Sequence, residues 1–179
     1  MTDVMLDLET MSTRPNACIV AIGAVEFSET EGLGKTFYEV VDLESSMRRG
    51  LHVEGNTIMW WLRQEEAARK AIGVASSDLP ETLIRFTAFL KSIKGPGHLR
   101  VWANSCSFDN VILRSSYQAC GMNQPFDGRA DRCYRTMKDL CYDIKPVVTP
   151  GTTKHNALDD AVAQAEHLVA IWKSLTPQS

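Results

Sequence analysis

The sequence is short of the features that would place it in several large functional classes. Its five cysteines, at 18, 106, 120, 133 and 141, form no C-x-x-C pair and fall into no His/Cys cluster with zinc spacing. That speaks against a structural zinc site and a disulfide framework, and free thiols in a reducing, cytoplasmic compartment are expected. Long hydrophobic runs are absent as well. The longest, residues 17–25, falls well below the ~20 residues of a membrane helix. The opening Met1-Thr2-Asp3 carries an acid and no basic stretch, unlike a secretory leader. Basic residues are in deficit: 19 Lys and Arg face 22 Asp and Glu, a net charge of −3. Such a balance disfavours non-specific coating of duplexes, which runs on many phosphate contacts. It leaves room for an enzyme that grips one short strand end. With no repeat, low-complexity tract or long linker, residues 1–179 are expected to form one domain.

What is present begins with short apolar runs. Residues 4–8 read as a buried strand, residues 18–27 as a second rich in β-branched side chains, and residues 35–41 as a third. A helix is expected from Thr57 through the run Ile58-Met59-Trp60-Trp61-Leu62 to Ile72. Asp78-Leu79-Pro80-Glu81 has the form of a capping box, and Leu79, Leu83, Phe86, Leu90 and Ile93 follow at helical spacing. Gly95-Pro96-Gly97 would stop that helix. Residues 100–104 read as a strand and residues 108–120 as a helix with Ile112 and Leu113 inward. A last helix over residues 157–175 would bury Ala161, Ala165, Leu168, Trp172 and Leu175. Strands first and then alternating helices predict a mixed α/β layer fold.

Three acidic elements carry the chemistry. Asp7-Leu8-Glu9-Thr10 ends the first strand, and residues two apart on a strand point to one side, so Asp7 and Glu9 project together. Two adjacent carboxylates at an apolar edge repel each other and lose hydration. A hard divalent cation offsets both costs. Asp109 follows Phe108 where a strand gives way to a helix, a position where an acid also complements the helix dipole. The third element, His155-Asn156-Ala157-Leu158-Asp159-Asp160-Ala161, sets one base suited to neutral pH beside two acids. On one regular helix His155 and Asp160 would lie about 140° apart, whereas His155 and Asp159 would share a face. Spacing therefore leaves two arrangements: Asp159 as ligand, or Asp160 with His155 in a preceding loop.

In this order and at these separations the three elements resemble the DnaQ-like 3′–5′ exonucleases of the DEDDh type. Asp7 and Glu9 match the D-x-E motif, Phe108-Asp109 the second motif, and His155, Ala157, Asp160 and Ala161 the H-x-A-x-x-D-A motif. Thr57-Ile58-Met59-Trp60-Trp61 with Gln64, Ala67-Ala68-Arg69-Lys70 and Arg135-Thr136 resembles the phage-type and Rv2179c-like exoribonuclease branch. One departure is Asn104-Ser105, where members often have N-G. The resemblance implies a ribonuclease H-like three-layer fold with a central mixed β-sheet flanked by helices. It selects Asp160 over Asp159 and places His155 in a loop.

The resemblance also implies a mechanism. Asp7, Glu9, Asp109 and Asp160 would hold two ions, Mg²⁺ or Mn²⁺, with His155 as general base, and single-stranded DNA or RNA 3′ ends would yield nucleoside 5′-monophosphates. Leu8, Thr10 and Met11 would pack against the terminal nucleotide, and Trp61 or its neighbour Trp60 would offer a stacking face. Asn104 would contribute from the second motif and Lys154 would contact phosphate. A homodimer is a further expectation from similar enzymes. The competing readings are an inactive nucleic-acid-binding module on the same fold and a phosphodiesterase of very short oligonucleotides. Retention of all five motif residues weighs against the first.

Overall fold

The computed structural model describes residues 2–73, 77–93, 98–146 and 154–176. In chain order the elements are β1 (Thr2–Thr10), β2 (Ile19–Ser28), β3 (Gly32–Val40), α1 (Leu43–Arg48), α2 (Gly55–Leu62), α3 (Glu66–Gly73) and α4 (Leu79–Ile93). They continue with β4 (Leu99–Ala103), α5 (Asp109–Ala119), β5 (Asp131–Cys133), α6 (Tyr134–Leu140) and α7 (Ala157–Leu175). The Gly95-Pro96-Gly97 stop lies outside the described residues. None of the described helices is long and apolar enough to cross a membrane.

The five strands form one sheet in the order β3-β2-β1-β4-β5. The first three make an antiparallel meander, while β4 runs parallel to β1 and β5 parallel to β4. This is the mixed sheet that the resemblance implied. Alternation along β1 separates its two faces. Val4, Leu6 and Leu8 pack into a core that α4 and α5 cover through Leu79, Leu83, Phe86, Ile112 and Leu113. Met5 turns to the opposite face, where Ala161, Ala165 and Leu168 of α7 close a second core with Val25, Phe27, Trp102 and Tyr134. Asp7 and Glu9 share the Met5 phase, so β1 points its two acids at α7. Burying the apolar faces of α4 and α7 gives roughly 1.5–3 kcal/mol per large side chain, which holds this layer order.

Several expectations need correction. The helix expected from Thr57 to Ile72 is two helices. The Arg63 and Gln64 N–H groups bond back to the Trp60 and Trp61 carbonyls at 3.1 and 3.0 Å, a tight closing turn that ends α2. The Arg69 guanidinium then bonds the Leu62 and Gln64 carbonyls, bracing the break. At the start of α4 the Leu79 N–H is held by the Ser45 hydroxyl at 2.9 Å, and Glu81 reaches forward to Arg85. Leu175 is 59% exposed and outside the core, because α7 has by then run past the sheet. Ile171 and His167 are buried instead, His167 between the Tyr134 hydroxyl and the Ile144 carbonyl. Arg48 ends α1 in ion pairs with Glu44 at 3.5 Å and Asp78 at 3.8 Å.

Candidate active site

The acids converge at the C-terminal end of β1. The β1–β4 ladder ends at the pair Met5–Trp102. Beyond it the Leu8 N–H is free to donate to Asp109 Oδ1, at 3.2 Å. Asp109 opens α5 and is buried. Asn110 fixes that helix start by donating to the Val101 carbonyl and to Asp131 of β5. A register shift between Glu9 and Thr10 bends the strand end, and bulges of this kind re-aim side chains beside active sites.

The third element answers the question that spacing left open. His155 stands before α7 with φ of 63°, in the left-handed region, so it is not on the helix. Asn156 caps α7 by accepting from the Leu158 and Asp159 N–H groups at 3.0 and 3.2 Å. The reversal brings the His155 N–H onto Asp160 Oδ2 at 3.1 Å. Glu9, His155 and Asp160 then offer one potential ligand atom each, all within 4.8 Å of one another.

Burial raises all four carboxyls, and repulsion by the neighbouring acids adds to it at Asp7 and Glu9. Burial first, and then the charges of Asp109, Glu9 and Asp160, raise the Asp7 carboxyl well above the usual carboxylate range, against a lowering bond from Gln164. Burial, Asp160 and Asp109 push Glu9 up to about 8. Burial pushes Asp109 up to about 7, although N–H groups including that of Leu8 and the charge of Arg135 pull it down. Asp160 is raised by burial and lowered by the His155 N–H. Among the described residues no Lys or Arg forms an ion pair with any of the four. Four crowded, mostly buried carboxylates without a cationic partner suit hard divalent cations, whose preferred donors are carboxylate oxygens.

Beside the acids lies a cleft of about 490 Å³ whose lining includes Leu8, Glu9, Thr10, Trp60, Trp61 and Phe108. Its size and its apolar wall suit a small planar ligand such as one base, with the acids at its edge.

The family model of the 3′-5′ exoribonuclease Rv2179c-like domain matches residues 2–172. The chain belongs to this family. The Rv2179c-like chain is also 27% identical over 124 residues to an "Exodeoxyribonuclease" of Enterobacteria phage T4, covering 63% of itself and 54% of that protein. It thus spans about half the length of this curated relative. Among solved structures, cell-death related nuclease 4 aligns over 97% of this chain and 64% of its own, with TM-score 0.64 and 14% identity. The nuclease domain of 3′hExo, a DEDDh family member bound to rAMP, aligns over 97% and 92%, with TM-score 0.63 and 13% identity. Exonuclease X in complex with 5′ overhanging duplex DNA aligns over 96% and 92%, with TM-score 0.60 and 18% identity. At these identities the likeness is one of fold, and it is the ribonuclease H-like fold of exonucleases.

The remaining expected residues of this Rv2179c-like site divide. Trp61 is only 4% exposed, and its indole N–H donates to the Thr10 carbonyl at 3.0 Å, so it fastens α2 to the strand end. Trp60, its neighbour, lines the same cleft, is 42% exposed and meets the His155 ring edge-on at 4.9 Å. Phe108 packs partly against the core and partly lines the cleft. Met11 has its N–H and carbonyl engaged with Cys18 and Glu54, and its side chain packs on the core behind Thr10. Asn104 begins the turn before α5, where its carbonyl accepts from the Arg135 N–H at 3.1 Å. Lys154 is exposed next to His155.

Two residues were missed. Gln164, one helical turn beyond Asp160, donates to Asp7 Oδ1 at 2.9 Å. Its spacing of four from an acid on the same helix was the available signal. Gly23, inside a strand rich in β-branched residues, is the cross-strand partner of Asp7. A glycine in a strand interior signals close approach of another backbone.

Proposed function

We propose that this chain is a two-metal-ion 3′–5′ exonuclease that trims single-stranded DNA or RNA ends to nucleoside 5′-monophosphates. The observation that carries the reading is the convergence of Asp7, Glu9, Asp109 and Asp160, none of them in an ion pair with Lys or Arg among the described residues, beside His155 and a cleft of one-nucleotide size. These four acids would hold two divalent ions, Mg²⁺ or Mn²⁺, which supply Lewis acidity and charge neutralisation at the scissile phosphate.

The chain's own groups do the rest. His155 takes the proton of the attacking water at a ring nitrogen. Its left-handed backbone, stabilised by the bond to Asp160, sets the ring over the acids, and strained conformations of this kind gather at working sites. Trp60 stacks on the terminal base, a contact that accepts any sequence. Leu8 and Thr10 close the cleft beyond the terminal nucleotide, which restricts attack to strand ends. Lys154, exposed beside His155, meets a backbone phosphate.

The test uses a single strand carrying its label on the 3′-terminal nucleotide. Release of labelled nucleoside 5′-monophosphate as the first product, from DNA, RNA or both, supports the reading; release of labelled dinucleotides or internal cleavage sinks it. Binding without release identifies an inactive binding module. His155→Ala is expected to lose turnover while keeping metal affinity; loss of that affinity would make His155 a ligand instead.

A further inference from the structure

Gln164 follows Asp160 by one turn of α7, so the helix presents both side chains toward β1. Its Nε2 donates to Asp7 Oδ1 at 2.9 Å, while its Oε1 is buried and has no hydrogen-bond partner among the described residues. The unpaired oxygen decides how the bond is read. A buried acceptor that has lost water without gaining a donor destabilises the fold, and a buried apolar side chain of similar shape would avoid that loss. Stability alone does not account for an amide here.

The requirements of the acid cluster do account for it. Asp7 lies where the charges of Asp109, Glu9 and Asp160 all act on it. A donor to its carboxylate must bring no charge of its own. Lys or Arg would add a cation that competes with a divalent ion, and an acid would add a fifth like charge. Among flexible straight-chain side chains Gln donates a hydrogen bond without either effect. Partners behind the ligands of a metal commonly fix ligand orientation in this way.

We propose that Gln164 is a positioning residue of the metal site, its amide holding the Asp7 carboxylate in the orientation that receives the ions. The proposal rests on the two-ion reading above. Its cost is the stranded Oε1, a sacrifice of stability of the sort that functional sites show.

The experiment titrates Mn²⁺ alone, without nucleic acid, into the wild type, Asp7→Ala, Gln164→Met and Gln164→Glu, and records melting curves in chelator. Gln164→Met replaces the amide with an unbranched apolar chain of similar length that fits an irregular gap. Gln164→Glu sets an acceptor against an acceptor. The expected result is Mn²⁺ binding by the wild type that Asp7→Ala abolishes, and about tenfold or greater weakening in both Gln164 variants. Gln164→Met should also melt at or above the wild-type temperature in chelator, which a structural role would not allow. Affinity within about twofold of the wild type in either variant that folds overturns the proposal. So does a lowered melting temperature of Gln164→Met with affinity unchanged. A wild type that binds no Mn²⁺ overturns the two-ion reading itself, a different failure.

Discussion

Gly23 lies directly beneath Ala157: a β-carbon on residue 23 would fall 2.1 Å from the Ala157 carbonyl carbon and 2.2 Å from its oxygen. Because Gly23 pairs across the ladder with Asp7, the first turn of α7 is seated over the strand pair that carries the first acid. That seating delivers Asp160 and Gln164 to β1. The neighbour is backbone, so no side chain can rotate away to make room.

Gly23→Ala is therefore expected to lift the start of α7 off the sheet. Overpacking of this kind costs at least about 1–3 kcal/mol. Displacing Asp160 by even ~1 Å would lower kcat/KM by about 10²-fold. Melting curves and turnover on a labelled strand check both effects. A variant that matches the wild type in both would show that α7 does not need this contact.

The raised carboxyls give a pH signature. In the metal-free protein Glu9 holds its proton up to about 8 and Asp109 up to about 7, against ordinary values of 4.5 and 3.8. Between those limits the folded state binds more protons than the unfolded chain, so stability falls as pH rises. Ion binding requires the deprotonated carboxylates and strengthens over the same window. In chelator the melting temperature should decline from about pH 5 to about pH 8. The decline should be shallower in Glu9→Gln, and the increment produced by Mn²⁺ should grow with pH. Identical slopes for wild type and Glu9→Gln would contradict this.

Removing one acid should separate stability from activity. Asp7→Asn and Asp160→Asn each put a neutral side chain of the same shape where burial disfavours a charge, so melting in chelator is expected to be unchanged or higher. Turnover should fall by at least about 10³-fold, equivalent to roughly 4 kcal/mol. Thermal melts and single-turnover rates check the two halves.

The paired tryptophans should behave oppositely. Trp61→Ala removes a buried ring and the bond to the Thr10 carbonyl, and is expected to cost about 3–5 kcal/mol of stability. Trp60→Ala should barely change melting but raise KM roughly tenfold through lost base stacking. A large loss of stability in Trp60→Ala would place it in the fold rather than the substrate site.

Much of this was legible before any coordinates. Apolar periodicity located β1, β2, α4 and α7, because each buries a continuous face. The three acidic motifs were each weak alone; their order resembled an exonuclease family. Three residues of charged or polar β5 carry no such periodicity, and the α2–α3 break arises from a closing turn that helix-forming residues on both sides conceal. Nothing in the spacing of His155 and Asp160 could choose between loop and helix; the left-handed backbone at 155 did. Trp60 and Trp61 are adjacent in sequence, so only packing separates the exposed ring from the buried one. Gln164 and Gly23 act through tertiary contacts, and their meaning appears once β1 and α7 meet.

The most direct test of the central claim is a time course on 5′-labelled single-stranded DNA and RNA of equal sequence, with Mg²⁺, with Mn²⁺ and with chelator. An ascending ladder of shortened labelled strands is expected with metal, absent in chelator and absent for Asp160→Asn. A ladder that persists in chelator, or intact strands under every metal condition, would contradict metal-dependent 3′–5′ trimming by this site.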